Sequence, residues 1–197
     1  MERNFKSYLN TNDKMFCCSC RACENICPVS CISMVKEEGF IYPCIDKNKC
    51  IHCDMCVTVC QFNNPVVAAD GSFDQKVYAG WNKDQKKVTE STSGAIFTAL
   101  SEYFLENNGT VYGAEFDENF NVIIKKADSS ADRDRMRGSK YVWSDTKSTY
   151  RQVKKDLESG KYVLYTGVPC QIGGLRCFLR KDYDRLYCVD LVCHGFP

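Results

Sequence analysis

Residues 17–28 read CCSCRACENICP, and residues 50–61 read CIHCDMCVTVCQ. Both stretches carry cysteines spaced C-x2-C-x2-C-x3-C, so the segment contains an internal repeat. This spacing is typical of chains that bind a pair of cubane clusters, because one run wraps three corners of a cluster and its fourth cysteine reaches the other cluster. We therefore expect two [4Fe-4S] clusters, the first held by Cys17, Cys20, Cys23 and Cys60 and the second by Cys27, Cys50, Cys53 and Cys56.

Two other interpretations of the cysteines fit less well. A structural zinc site pairs two close cysteines with a distant pair, and a triple run would leave one thiolate unused in each half. Disulfides need an oxidising compartment, and the N-terminus MERNFKSYLNTNDK lacks the apolar core of a secretion signal. Of the cysteines left over in this block, Cys18 adjoins a ligand, whereas Cys31 and Cys44 have apolar neighbours and are predicted to be buried thiols.

Length and charge exclude several classes of function. The 197 residues include 26 basic and 25 acidic side chains, and a formal charge of +1 gives no electrostatic reason to expect a nucleic acid or an anionic membrane as partner. No apolar run approaches the roughly 18 residues that cross a bilayer. With neither a membrane span nor a signal, we expect a cytoplasmic protein, where reducing conditions keep thiols available to metals.

The cysteine distribution predicts two domains. Eleven of the fifteen cysteines lie between Cys17 and Cys60, and none lies from 61 to 169. Residues 61–75, QFNNPVVAADGSFDQ, are rich in turn and linker residues. We therefore predict a bacterial-type dicluster ferredoxin domain over 1–70 and a second domain over 76–197.

The second domain shows alternating helical and strand patterns. The patterns predict strands over 76–81, 110–116, 121–126, 162–166 and 186–192, and helices over 93–106, 146–159 and 171–180. This is an α/β arrangement with a largely buried sheet, so the whole chain is predicted to have an α+β fold. The basic stretch RDRMRGSK, at 133–140, is predicted to be a solvated face unless Gly138 and Lys140 turn toward a ligand.

Three segments at helix starts or strand ends are candidates for ligand contact. STSGA, at 91–95, suits a phosphate at a helix N-terminus, or serves as an ordinary cap. GVPCQ, at 167–171, would place Cys170 at a helix N-terminus, where a thiolate is favoured. CHG, at 193–195, follows a strand, so Cys170 and Cys193 could meet as a redox pair or in a further cluster, or be two buried thiols. Core packing is the preferred interpretation of Cys177 and Cys188.

Together with the two cysteine runs, five further segments resemble one family. They are EGFIYP at 38–43, STSGAIFTAL at 91–100, RGSKYVWSD at 137–145, TGVPCQIGGL at 166–175 and DLVCHGFP at 190–197. This combination is similar to the coenzyme F-420 hydrogenase/dehydrogenase beta-subunit family, in its version with a fused N-terminal dicluster ferredoxin domain. Members of that family usually continue beyond the CHG motif, so the resemblance implies the N-terminal part of a longer protein and an incomplete second domain.

The resemblance implies an α/β domain that binds FAD and an iron–sulfur flavoprotein oxidoreductase. Such a protein passes electrons between clusters and a hydride carrier such as F-420, with a redox protein or subunit as partner. A further cluster near the flavin is a possibility that the extra cysteines leave open. The implied cofactor-binding residues are Ser91, Ser93, Gly94, Gly138, Ser139, Lys140, Pro169, Cys170, Gln171 and Cys193.

Electron counting supports the flavin, and one alternative function stays open. A cubane cluster moves one electron and a hydride carries two, so a flavin is the natural converter between them. The alternative is a ferredoxin-like electron-carrier module with no catalytic activity of its own.

Overall fold

The computed structural model describes residues 6–65 and 76–195. Its helices are α1 (Tyr8–Thr11), α2 (Ala22–Ile26), α3 (Met55–Thr58), α4 (Gln85–Thr89), α5 (Ile96–Glu106), α6 (Ser130–Asp134), α7 (Thr149–Glu158) and α8 (Pro169–Leu179). Its strands are β1 (Ile32–Glu37), β2 (Phe40–Ile45), β3 (Thr110–Phe116), β4 (Val122–Ala127), β5 (Val163–Gly167) and β6 (Leu186–Asp190). A 3-10 turn covers Lys14–Phe16.

The N-terminal segment combines short helices with one hairpin. Strands β1 and β2 pair antiparallel, with Ile32 opposite Ile45. Glu38 and Gly39 both have positive φ at the turn, at 51° and 87°, as tight hairpin turns require. Helices α2 and α3 start at equivalent points of the two cysteine runs and pack against each other.

The C-terminal segment contains a four-stranded mixed sheet in the order β4-β3-β5-β6. Strands β3 and β4 are antiparallel, whereas β5 is parallel to both β3 and β6. Parallel pairing brings the carboxyl ends of β3, β5 and β6 to one edge of the sheet, where ligands bind in open α/β sheets. The predicted α+β fold is confirmed, with an iron–sulfur type of N-terminal segment before the sheet.

The two segments share a hydrophobic core. Ala22 and Val59, from the N-terminal segment, belong to the same buried cluster as Tyr150 of α7, Tyr165 of β5 and Leu175 of α8. All five side chains are at most 1% exposed. Removal of this apolar surface from water therefore stabilises the association of the segments as well as each segment.

Most of the predicted helices and strands are confirmed. One predicted strand is not formed, and two other elements have different bounds. Residues 76–81, predicted as a strand, have no strand partner in the described structure, and Val77 and Trp81 are 96% and 75% exposed. The helix predicted from 93 begins at Ile96, because Ala95 before it has a left-handed φ of 58°. The last strand ends at Asp190 instead of 192, and the predicted linker lies largely at 66–75, outside the described residues.

Two expectations about exposure are wrong. Arg133, placed on a solvated face from the sequence, is 2% exposed, because its guanidinium donates to Thr98 O and Ser101 Oγ and pairs with Glu102. Cys44, predicted to be buried, is exposed on β2, since the hairpin has only one covered face. No helix in the described residues has the length and apolar character needed to span a membrane.

Candidate functional site

The structure brings the first predicted quartet around one cavity. Cys17, Cys20, Cys23 and Cys60 all line a cavity of about 30 Å³, although Cys60 comes from the second cysteine run. Burial, together with the nearby Cys20 and Cys60, raises the pKa of the Cys17 thiol to about 11. Four converging thiols form a donor set that suits a cubane cluster, and binding would have to displace their protons.

The members of the second quartet also lie together. Buried Cys27 packs with Cys50 and Cys56, and burial, together with the nearby Cys53 and Cys50, raises the pKa of Cys56. The neighbouring Cys31 lies in the same group, with its sulfur 3.4 Å from the Cys27 sulfur. Desolvation and this hydrogen bond raise the pKa of Cys31 to about 12, so Cys31 is confirmed as a buried thiol.

Matching backbone turns shape the two runs. Ser19 and Arg21 have φ of 55° and 61°, and the equivalent His52 and Asp54 have φ of 54° and 55°. Left-handed residues bend the chain tightly between cysteines, so three thiols can face one centre. The helix that follows each turn then carries the fourth cysteine away from its own run, which is the geometry of crossed ligation.

The described cysteines are not gathered as a single-ion site. Over residues 6–65 and 76–195, no three His, Cys, Asp or Glu side chains converge closely enough to hold one metal ion.

A polar interface joins the first run to the sheet segment. Arg21 forms an ion pair with Asp145, and Arg21 Nη1 lies 2.6 Å from Glu24 Oε2. The Arg21 guanidinium helps to lower the pKa of the Asp145 carboxyl against the opposing effect of its burial. Thr146 Oγ1 also donates to Cys20 O over 3.1 Å. The loop around the first quartet is thereby fixed to the segment that precedes α7.

Arg151 of α7 supports the helix between the two quartets. Its guanidinium donates to the carbonyl oxygens of Glu24, Asn25 and Cys27, at the C-terminal end of α2. Glu24 O also accepts from Cys27 N, and Cys27 O accepts from Ser30 N. A cation is favoured at this end of the helix by the helix dipole. Arg151 therefore positions Cys27 from outside the cysteine-rich segment.

A second group of sulfurs forms where α8 meets the first run. The nearby Cys170 and Cys20 thiols raise the pKa of Cys18, and Cys18 in turn lowers the pKa of Cys170 against the opposing effect of burial. Gln61 Nε2 donates to Cys18 Sγ over 3.1 Å and to Cys170 O over 2.9 Å. Cys170 lies in the first turn of α8, as predicted. Its proximity to Cys18 is not predicted by the sequence, because no sequence pattern links residues so far apart.

The predicted flavin residues at 91–94 and 138–140 lie side by side. Thr92 Oγ1 is 3.2 Å from Ser139 Oγ and accepts a hydrogen bond from Ser139 N over 3.3 Å. Lys140 Nζ donates to three carbonyl oxygens of its own loop, and its ammonium lies 5.8 Å from the ring centre of Phe116, the last residue of β3. Burial lowers the pKa of Lys140. Ser91, Ser93 and Gly94 precede α5 in a bend.

The remaining predicted residues lie at the ends of β5 and β6. Gln171 is 1% exposed, and its amide donates to Ser144 O and Oγ while its oxygen accepts from Val168 N. Its polar atoms therefore hold the loops of this edge together. Pro169 opens α8 and lines a cavity of about 450 Å³, together with Cys188 of β6. Cys193 follows β6, and its sulfur accepts from Gly195 N.

The class of the N-terminal segment follows from its geometry and from a family match. Residues 16–64 match the family model of the 4Fe-4S dicluster domain. The segment is accordingly a dicluster iron–sulfur domain, and two [4Fe-4S] clusters are its cofactors.

Similarity to known proteins extends beyond this domain. The chain is 25% identical over 187 residues to the coenzyme F420-dependent sulfite reductase of Methanocaldococcus jannaschii, a match that covers 94% of this chain and 28% of that protein. It is also similar to a chain of the F420-reducing [NiFe] hydrogenase complex of Methanosarcina barkeri, with 25% identity and a TM-score of 0.39 over 48% of this chain and 35% of the other. The dicluster match and the curated relative confirm the resemblance seen in the sequence: this is an iron–sulfur protein related to F420-linked proteins.

Proposed function

We propose that this chain is the electron-transferring part of an iron–sulfur flavoprotein oxidoreductase. In this function, electrons pass between the two clusters and an FAD, and the flavin exchanges hydride with F420 or a similar carrier. The chain spans 28% of the length of its curated relative, which is named as an F420-dependent reductase. The sulfite chemistry in that name is not part of the proposal.

The observation that carries the proposal is the crossed arrangement of the quartets beside the sheet. Cys60 joins Cys17, Cys20 and Cys23 around one cavity, and Gly174 of α8 lies directly against Cys20. When bound, each cluster moves one electron and a flavin takes electrons singly or in pairs. In this chain α8 packs closely against the first quartet, and α8 begins at the sheet edge.

Particular residues at the sheet edge support the proposal of a flavin site there. The hydroxyls of Thr92 and Ser139 face each other, and Gly138, with a left-handed φ of 81°, lies against Thr92. We assign direct contact to the segments that contain these residues. Lys140 and Gln171 are assigned positioning roles, because their polar atoms are engaged by the surrounding loops.

The hydrogen bonds of Lys140 and Gln171 to their surrounding loops also favour a second candidate function. With two of the predicted flavin residues occupied internally, the chain could act as an electron carrier whose catalytic centre lies in a partner. Such a module would hold clusters and no flavin.

Anaerobic quantification of iron, sulfide and flavin on one sample tests both candidates. We expect about eight iron and eight sulfide atoms per chain, from two cubes, and one flavin released on denaturation. Cys60→Ala is expected to lose about half of the iron, whereas Cys44→Ala, which removes an exposed cysteine outside both quartets, should keep all of it. Full iron without flavin would favour the carrier, and a colourless protein that cannot be reconstituted would refute both.

A further inference from the structure

Arg21 lies between Cys20 and Cys23, two predicted ligands of the first quartet. Within the described part of the chain, it is the one charged residue that lines the cavity of this quartet. The wall of the cavity also includes apolar side chains, namely Leu9, Phe16, Met34 and Phe62. Because the dielectric constant is lower in such surroundings than in water, the charge of Arg21 acts strongly there.

Arg21 belongs to a group of four charged side chains that is neutral as a whole. Its guanidinium pairs with Asp145 and with Glu24, and Lys147 Nζ lies 3.1 Å from Asp145 Oδ2. Two positive and two negative charges therefore balance. Among the described residues that line the cavity, neither carboxylate appears and nor does Lys147. The member of the group that adjoins the first quartet is thus a cation.

The internal repeat provides a comparison at the equivalent position of the second run. Asp54 corresponds to Arg21, and both have a left-handed φ, of 55° and 61°. Asp54 is exposed, whereas the Arg21 side chain is only 11% exposed. The same backbone position therefore carries a nearly buried cation beside the first quartet and an exposed anion beside the second.

A cation beside the first quartet favours the reduced state of a cluster bound there. A cubane with four thiolate ligands is a large local negative charge, and one added electron increases that charge. Water compensates the charge at an exposed site, whereas a buried charge needs a group of opposite sign nearby. Since α8 covers the first quartet, with Gly174 against Cys20, Arg21 is the group in position to compensate.

We propose that Arg21 raises the reduction potential of the first cluster and that Asp54 lowers that of the second. Together the two residues shift the equilibrium for an electron on the chain toward the first quartet, which lies against α8. Arg21 acts through its charge and is neither a ligand nor a catalytic residue. The inference rests on the clusters and the quartets of the proposed function.

A potentiometric titration of the anaerobic protein, followed by electron paramagnetic resonance, tests the role of Arg21. Arg21→Gln removes the charge and should lower the equilibrium constant for reduction of the first cluster about tenfold, a fall of about 59 mV for one electron. Arg21→Lys keeps the charge and should leave this potential near that of the unmodified protein. Cys60→Ala, which is expected to retain only the second cluster, identifies the potential that belongs to each quartet.

Two further variants should shift a potential in the opposite direction. Asp145→Asn removes a carboxylate that offsets Arg21, so the potential of the first cluster should rise. Asp54→Asn should raise the potential of the second cluster alone, and asparagine is tolerated at a left-handed φ. Loosening of the interface would admit water in Arg21→Gln and Asp145→Asn alike, and would therefore move both potentials in the same direction.

The outcomes separate this inference from the proposed function. Equal shifts in Arg21→Gln and Arg21→Lys, or an unchanged first potential in Arg21→Gln at full iron and sulfide, would overturn the inference alone. If Arg21→Gln loses iron, Asp145→Asn decides, and the absence of a rise in that variant overturns the inference as well. Absence of iron and sulfide from the unmodified protein would contradict the proposed function and this inference with it.

Discussion

At Gly174 the backbone of α8 meets the first cysteine run. A Cβ placed there would lie 2.8 Å from Cys20 Cβ and 2.9 Å from Tyr150 Oη, both closer than real side chains tolerate. The glycine is therefore required by close approach, since its φ does not lie in the left-handed region.

Gly174→Ala is expected to lower the free energy of unfolding by about 1–3 kcal/mol, because overpacking forces neighbouring groups to shift. It should also reduce iron incorporation, because Cys20 is displaced. Urea unfolding and iron analysis measure the two effects. Gly80→Ala is the matched control, since nothing lies within 4 Å of a Cβ at that position. An unaltered Gly174→Ala protein would contradict the close packing of α8 on this loop.

Gln61 follows the fourth cysteine of the second run, where the first run has Pro28. From the sequence this is a minor departure from the ferredoxin pattern. In the structure the Gln61 amide joins Cys18 to Cys170 O across the two segments.

Gln61→Ala is expected to cost about 1 kcal/mol of unfolding free energy for each hydrogen bond lost, or about 2 kcal/mol in total. Equilibrium urea unfolding measures the change. Gln152→Ala provides the control, because its amide bonds only to exposed Ser148 on its own helix. If both variants unfold alike, the Gln61 bridge contributes nothing to stability.

At the scale of elements, α2 and α7 form the support of the cluster-binding segment. Arg151 of α7 donates to three carbonyl oxygens at the end of α2, and Asn25 Nδ2 of α2 donates to Lys147 O over 2.8 Å. Because α2 contains Cys23 and ends at its C-cap Cys27, its position affects one ligand of each predicted quartet.

Arg151→Ala is expected to lower the free energy of unfolding by about 2–3 kcal/mol, since hydrogen bonds from a charged donor are stronger than neutral ones and three carbonyls lose a bond from that donor. Chemical denaturation followed by circular dichroism measures the change. Lys154→Ala, on the same helix with only a 3.9 Å contact to Glu158, should change it by less than about 0.5 kcal/mol. Equal effects of the two substitutions would contradict a specific role for Arg151.

At the scale of the whole molecule, three tyrosines fill the core between the sheet and its helices. Tyr112, Tyr150 and Tyr165 are fully buried, and the Tyr112 hydroxyl donates to Asp156 Oδ2 over 2.7 Å. Burial raises the pKa of all three phenols above the ordinary value. The native state therefore keeps protons that the unfolded chain releases near pH 10.

Stability is expected to fall as pH rises above about 10, the ordinary pKa of tyrosine, because the unfolded state then binds fewer protons than the native state. Each buried phenol adds a slope of about 1.4 kcal/mol per pH unit until its native pKa is reached. Anaerobic urea unfolding between about pH 8 and about pH 11, a range that brackets the ordinary tyrosine pKa of about 10, measures the slope. Tyr165→Phe should remove one such increment, and Tyr103→Phe, at an exposed position, should remove none. A flat profile would contradict burial of the phenols.

The sequence by itself determined the parts of the protein that depend on local spacing. The C-x2-C-x2-C-x3-C runs predict the dicluster domain that residues 16–64 match, because loop length alone limits which thiols can reach one cluster. Strands such as β3 and β5 were readable from short apolar runs. The helix start near 93 was misplaced, because a single left-handed residue, Ala95, decides it.

Only the tertiary structure decided which distant residues meet. Burial of Arg133, the bridge from Gln61 to Cys18 and Cys170, and the support of α2 by Arg151 all join positions with no fixed sequence separation. Such contacts follow from how α7 and α8 pack on the cysteine-rich segment, where complementary shape and hydrogen-bonding partners select one arrangement among many that the same local pattern would allow.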